Sequence, residues 1–202
     1  LPILPLRNTV LFPGVVIPIT VGRDRSIQLI KDYNKADKVI GVVAQKKDSV
    51  EDPSSEDLFN VGTVARILKM LRMPDGNTTI IIQGKRRFRI DQFVQSEPYQ
   101  KAKVTPIIEI FPDKDDKEFS AIISNLKETS RQIIHISPNI PSEASFAINN
   151  IESHTFLINF ISSNMNAKTE DKQKMLEVAD LKARSMMLLE HLNKEFQMLE
   201  LR

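Results

Sequence analysis

The chain has 202 residues, 28 Lys and Arg against 26 Asp and Glu, and a formal net charge of +2. It contains no cysteine, which excludes disulfides, thiol nucleophiles and thiolate metal sites and leans toward a reducing compartment. No apolar stretch approaches the roughly 18 residues of a membrane span, and residues 1–6 lack the basic and long apolar regions of a secretion signal, so the expected location is cytoplasmic.

The opening LPILPLRNTVLFPG, residues 1–14, is an extended, proline-punctuated apolar run that Arg7 and Asn8 break before Leu11 and Phe12 reach a Pro13-Gly14 turn. From the residues alone it is a buried strand, the remnant of a targeting peptide, or an adhesive loop. Runs of β-branched residues and period-two alternation then predict strands over 15–21, 38–45, 61–71, 77–84, 86–90 and 99–110. A short helix over 23–34 interrupts them and turns Ile27, Leu29, Ile30 and Tyr33 inward. The polar, proline-bearing stretch 46–58 reads as a surface loop. In RMPDGN, Pro74 pre-sets φ and Gly76 tolerates positive φ, so 61–71 pairs antiparallel with the run from Asn77 onward.

From Asp113 the apolar period changes to three and four residues: Phe119, Ile122, Ile123, Leu126, Ile133 and Ile134 follow an acidic lead-in suited to a helix N-terminus. SPNIPSE ends that helix, and Ser142 is placed to cap the next; further helices are expected over 142–151 and 153–165. Asp180 is expected to cap a last helix with Leu181, Ser185, Leu188, Leu192, Phe196 and Leu199 on one face and Met186 and Met187 in its packing. Charge follows the same division, with 17 basic against 12 acidic residues over 1–112 and 11 against 14 over 113–202. The expected fold class is α+β: a β-rich subdomain over 1–112 and an α-helical subdomain over 113–202 that ends in a long helix. The chain does not begin with Met and stops within a helical pattern, so it is expected to be an excised piece of a longer protein.

Motifs for chemistry are not found. Gly84-Lys85 is followed by Arg86 and position 79 is a threonine, so there is no phosphate-binding G-x-x-x-x-G-K-[ST] loop. His135, His154 and His191 stand about a helix apart without cysteine or an H-E-x-x-H pair, which favours ordinary helix positions over zinc. No G-x-S-x-G elbow is present.

Two surfaces could bind. GKRRFRI is the one dense basic cluster; alternation sends Phe88 and Ile90 to one face and Arg87 and Arg89 to the other, and Lys85, Arg86, Arg87 and Arg89 could grip phosphates. The absence of interleaved aromatics and the near-neutral balance favour a solvated strand face, so nucleic acid is the weakest partner class. The apolar residues beside the turns are more informative: Leu71, Met73 and Pro74 at the hairpin tip, and Leu11, Phe12, Val16 and Pro18 around Pro13-Gly14. Exposed together they would form a patch of the kind that marks a partner site, while the competing reading puts Phe12 and Val16 in the core. Leu188, Leu192 and Phe196 form a stripe suited to a strut or to self-association.

The opening LPILPLRNTVLFPGVVIPITVGRDRS, the segment VVAQKKDSVEDPSSEDLFNVGTVARILKMLRMPDG and the run IIIQGKRRFRI resemble, in order and spacing, the amino-terminal domain of the Lon family of ATP-dependent serine proteases. LLEHLNKEFQMLELR resembles the start of the long helix that leads toward that family's ATPase module. The likeness covers essentially the whole chain and is least distinctive over 113–168. It implies a PUA-like β-fold followed by a helical bundle, carried by a hexameric machine that recognises damaged or tagged proteins, unfolds them with ATP and magnesium, and cleaves them with a Ser-Lys dyad. The family's Walker motifs and dyad lie beyond Arg202, so the resemblance implies a fragment that is not itself catalytic and holds no cofactor. It also implies that residues 1–14 are the first strand and turn of the β-domain. Their placement beside the two turns makes Leu11, Phe12, Val16, Pro18, Leu71, Met73 and Pro74 the residues expected to engage unfolded or damaged clients. A cereblon-like relative shares only the β-rich part and reads its ligand with a tryptophan cage, which a chain without tryptophan cannot build.

Overall fold

The β-branched runs of the first half form strands β1 Ile3–Leu6, β2 Val16–Val21, β3 Val39–Ala44, β4 Val61–Arg72, β5 Thr78–Gln95 and β6 Lys101–Pro106, with helix α1 Asp24–Asn34 between β2 and β3. The computed structural model describes residues 1–141 and 143–201, so the expected cap Ser142 lies outside the described residues. Two units are distinguished, Leu1–Ile107 and Ile108–Arg202.

In the first unit the strands make one sheet in the order β1-β3-β4-β5-β2, and β6 pairs with the second half of β5. Only β1 and β3 run parallel. A bridge between Pro2 and Lys101, with Ala102 N–H donating to the Leu1 carbonyl at 2.9 Å and Ile3 N–H to that of Gln100 at 2.9 Å, brings the first strand back to the last. The strands around that seam close into a small barrel filled by Ile3, Val43, Leu58, Phe88 and Ala102, which removes the exposed sheet edge there.

The expected hairpin forms as β4 and β5. Gly76 N–H donates to the Met73 carbonyl at 3.0 Å to close a turn with Pro74 second, and Gly76 itself has φ +89°. The expected break at Gly84 does not occur, and β5 is one strand of 18 residues. The glycine serves close approach instead. Its N–H donates to the Val15 carbonyl and its carbonyl accepts from Gly14 N–H, both at 2.9 Å. A Cβ there would lie 2.4 Å from the Phe12 carbonyl oxygen. Alternation places Arg87 and Arg89 on one face and Phe88 on the other, as expected, but the solvated face expected for both arginines does not hold. Ala65 faces Gly84 and Thr63 faces Arg87, so β5 advances one residue more than β4 across this bulge and its side chains change face. Arg87, beside buried Thr63, is itself buried at 3% exposure, and Arg86 and Arg89 are exposed.

The second unit contains α2 Lys117–Ile136, α3 Glu143–Asn149, α4 His154–Asn164, α5 Thr169–Glu177 and α6 Leu181–Glu200. Asp116 caps α2 by accepting from Phe119 N–H at 2.8 Å, Ser153 caps α4 by accepting from Phe156 N–H, and Asp180 caps α6 by accepting from Ala183 N–H at 2.9 Å. Lys182 donates to the cap carboxylate of Asp116 at 2.9 Å, joining the starts of α2 and α6. Helix α5 is not evident in the sequence because its residues, TEDKQKMLE, are mostly charged and bury only Gln173, Met175 and Leu176. The strand expected to reach Ile110 ends at Pro106, and Ile110 instead bridges to Asp180 at the foot of α6.

Arg184 on α6 is 1% exposed, pairs with Glu109 at 2.9 Å and donates to the Asn159 side chain on α4. Met186, expected in the packing, is exposed. Leu188 and Leu192 are buried within their own unit, so they are core residues and not a free stripe for self-association; Phe196 is half-buried.

Replacing Gly84 with alanine is expected to destabilise the chain by about 1–3 kcal/mol, because backbone and not a flexible side chain occupies the space. Gly76→Ala, with nothing within 4 Å of its Cβ position, should cost about 1 kcal/mol through its positive φ alone. Urea unfolding of the two variants checks the order.

Candidate functional site

The candidate site is the outer face of the ribbon formed by β2, the first half of β5 and the second half of β4. Side chains alternate across a strand and direct partners in antiparallel strands share a face. Register pairs Ile17 with Ile82 and Ile19 with Ile80, and the inward residues Ile67, Ile80 and Ile82 are buried. The intervening residues face the other way. Pro18 pairs with Ile81 and Ile81 with Lys69; Thr20 pairs with Thr79 and Thr79 with Leu71; Val16 pairs with Gln83. Val16, Pro18, Ile81 and Leu71 therefore lie on one face, as direct or diagonal neighbours within about 8 Å of the next.

Val16 is 49% exposed, Leu71 37% and Met73, at the hairpin tip beside exposed Pro74, 40%. Leu68, at the second β4 bulge, adds another exposed apolar side chain. These are large apolar groups left in water by the fold itself, because the opposite face already supplies the core.

Leu11 and Phe12 are different. They are 2% and 0% exposed, and the expectation that they stand in water beside the turn is corrected. Phe12 C=O accepts from Val15 N–H at 3.2 Å, closing a turn with Pro13 and Gly14 at its centre, and Gly14 has φ +83°. Thr63 Oγ1 donates to the buried Leu11 carbonyl at 2.7 Å. The turn folds back onto β4 and β5, so the side chains before it point into the unit while those after it run out along β2. Ile81, hidden in an unbroken isoleucine run, is the member of the face that sequence inspection misses; only the pairing register reveals it.

β2 is the terminal strand of the sheet path. Gly84 N–H meets the Val15 carbonyl, so alternation turns the backbone groups of Ile17, Ile19 and Val21 toward β5 and those of Val16, Pro18 and Thr20 toward the open edge. Proline lacks an N–H, so it occupies the position where the loss breaks no bond in the ladder.

Other candidates do not assemble. Burial of Arg87 divides the basic cluster, leaving Lys85, Arg86 and Arg89 exposed. His154 packs edge-on to Phe119 at 5.8 Å. Among the described residues no group of three or more His, Asp or Glu is arranged to hold a metal. No described helix is long and apolar enough to cross a membrane.

The architecture, a closed β-unit and a separate helical unit, is that of N-terminal domains of protease chains. It matches the N-terminal domain of a Mycobacterium avium complex Lon protease with a TM-score of 0.76 at 20% identity, over 95% of this chain and 97% of that one. A Lon N-terminal domain protein from Xanthomonas campestris matches with a TM-score of 0.66 at 21% identity, over 94% of this chain and 96% of that one. The chain belongs to the ATP-dependent protease La (LON) substrate-binding domain family, whose model matches residues 1–194. Its full length is 58% identical to part of the Lon protease of Flavobacterium johnsoniae and 55% identical to part of that of Cytophaga hutchinsonii. It spans about a quarter of the length of each of these relatives.

Phe12→Ala is expected to cost about 3–5 kcal/mol of folding stability. Leu71→Ser should cost no more than about 1 kcal/mol. Denaturant titration of both variants separates the buried from the exposed half of the apolar set.

Proposed function

We propose that this chain is the client-engaging module of a Lon-type ATP-dependent protease, and that Val16, Pro18, Leu71, Met73 and Pro74, joined by Ile81, form its capture surface. Unfolded proteins share no sequence, but they do share exposed apolar side chains. A flat apolar face ending in an unbranched, adaptable methionine accepts many of them without demanding a particular one. The observation that carries this reading is the exposure of Val16, Leu71 and Met73 on one ribbon whose opposite face contributes Ile67, Ile80 and Ile82 to the core.

ATP hydrolysis with magnesium and peptide cleavage by a Ser-Lys dyad belong, on this reading, to other parts of a cytoplasmic parent enzyme. The residues here offer neither a phosphate loop nor a metal cluster among those described. In a hexameric parent several weak capture faces would act together through avidity. Self-association is a second role for the helical unit, favoured by Met186 and Met198 standing exposed on α6.

The double variant Leu71→Ser, Met73→Ser should fold normally and bind a permanently unfolded, carboxymethylated protein about thirtyfold more weakly, since each substitution removes roughly 1 kcal/mol of apolar burial. In the parent enzyme it should slow degradation of a misfolded client while leaving cleavage of a short peptide unchanged. Unaltered client binding, or equal loss of both activities, would refute the assignment.

A further inference from the structure

A cleft of about 340 Å³ follows the open edge of β2, bounded by Pro5 and Arg7 on one side and by Pro18, Thr20 and Arg23 on the other. Two guanidinium groups meet beside it. Arg23 Nη1 donates to the Glu51 carbonyl at 2.8 Å, and Arg7 Nη2 donates to the same oxygen at 3.3 Å and to the Val50 carbonyl at 3.4 Å. Arg23 Nη2 donates to Gln45 Oε1 at 2.9 Å, and buried Gln45 is held in turn by its own bonds to the carbonyls of Lys47 and Val50.

Two positive charges are thus gathered on one neutral acceptor by a fixed network. Among the described residues neither guanidinium has a carboxylate within 4.0 Å. Asp52, whose charge partly offsets the effects of burial and Arg7 on Arg23, pairs with Arg25 at 3.2 Å. Burial and the charge of Arg7 both make Arg23 lose its proton more readily than an ordinary arginine. An anion entering the cleft relieves that repulsion, and the planar fork of a guanidinium matches a carboxylate with two parallel bonds.

We propose that Arg7 and Arg23 form a carboxylate site, which takes an Asp or Glu side chain from an extended protein segment whose neighbouring apolar residues rest on Val16, Pro18 and Leu71. This deepens the capture reading and rests on it. The cleft and the apolar face share Pro18, so one chain reaches both, whereas a free phosphate or a nucleic acid backbone has no use for the apolar half. An internal side chain fits better than a chain terminus, because apolar surface continues from Pro18 toward Val16 in one direction and toward Leu71 and the hairpin tip in the other. The preferred client segment is therefore apolar with one acidic residue.

The test measures binding of three labelled peptides to the 202-residue chain: one apolar and capped at both ends with a central Glu, its Gln counterpart, and the Gln peptide with a free C-terminal carboxylate. The Glu peptide should bind about tenfold tighter than either Gln peptide, the increment of a hydrogen-bonded charge pair. In Arg7→Gln, where an exposed side chain is changed, the gap should close to within about twofold. Should that variant misfold, raising salt to about 0.5 M on the unmodified chain should shrink the same gap. Equal binding of all three peptides overturns the carboxylate site and leaves apolar capture standing, provided Leu71→Ser still weakens them. Preference for the free terminus alone, displacement by inorganic phosphate without regard to peptide sequence, or a gap unchanged by both Arg7→Gln and salt overturns it as well. Failure of every peptide to bind overturns the capture reading itself.

Discussion

At Gly84 the backbone of Phe12 crosses β5 so closely that no side chain fits between them: the missing Cβ would sit 2.4 Å from the Phe12 carbonyl oxygen. Two hydrogen bonds of 2.9 Å hold Gly84 to Gly14 and Val15, and Thr63 secures the Leu11 carbonyl from the neighbouring strand. This contact fixes where the chain leaves the interior and in what phase it enters β2. From that phase follows which of Val16 to Val21 face the core and which face water. A slip of one residue would exchange the two sets, bury Pro18 against the core and push Ile17 and Ile19 outward. The proposed capture face is thus a consequence of a packing constraint at the turn that precedes it.

The same constraint explains why a protein can keep leucine, valine and methionine in water without losing its fold. The inner face of the ribbon, with Ile67, Ile80 and Ile82, satisfies the burial that stability requires. The outer residues are left for association, where each is worth on the order of 1 kcal/mol. Weak, repeated contacts would suit the proposed capture and release of many clients. On the proposed reading the paired arginines add the complementary quality, a preference among apolar segments, since charge contributes more to selectivity than to affinity.

Much of this was legible in the sequence. The hairpin is visible in Pro74 and Gly76, and the last helix in the spacing from Leu181 to Leu192, because local chemistry decides both. What stayed hidden depends on distant partners. Leu11 and Phe12 border a turn, and nothing local reveals that the turn folds back over β4 and β5. The Gly84 pairing makes a glycine that resembles a break into the middle of one strand, and Arg87, expected on a solvated face, is buried beside Thr63. Arg184 would pass for an exposed basic residue, yet Glu109 and Asn159, far off in sequence, receive it in the interior. Arg7 and Arg23 are unremarkable singly, and only the loop carrying Glu51 brings them together.

Pro18, with its backbone turned toward the open side of β2, gives this sheet an unusual boundary. An incoming strand that tried to extend the ladder would find no donor at the middle of the row, so registering along it would leave one carbonyl without a partner. Adhesion there must come from side chains. Two copies of the domain, or a domain and a long β-prone client, can touch through this margin without zipping into a continuous sheet. An edge of this kind is poorly suited to seeding the growth of β-prone chains into fibres.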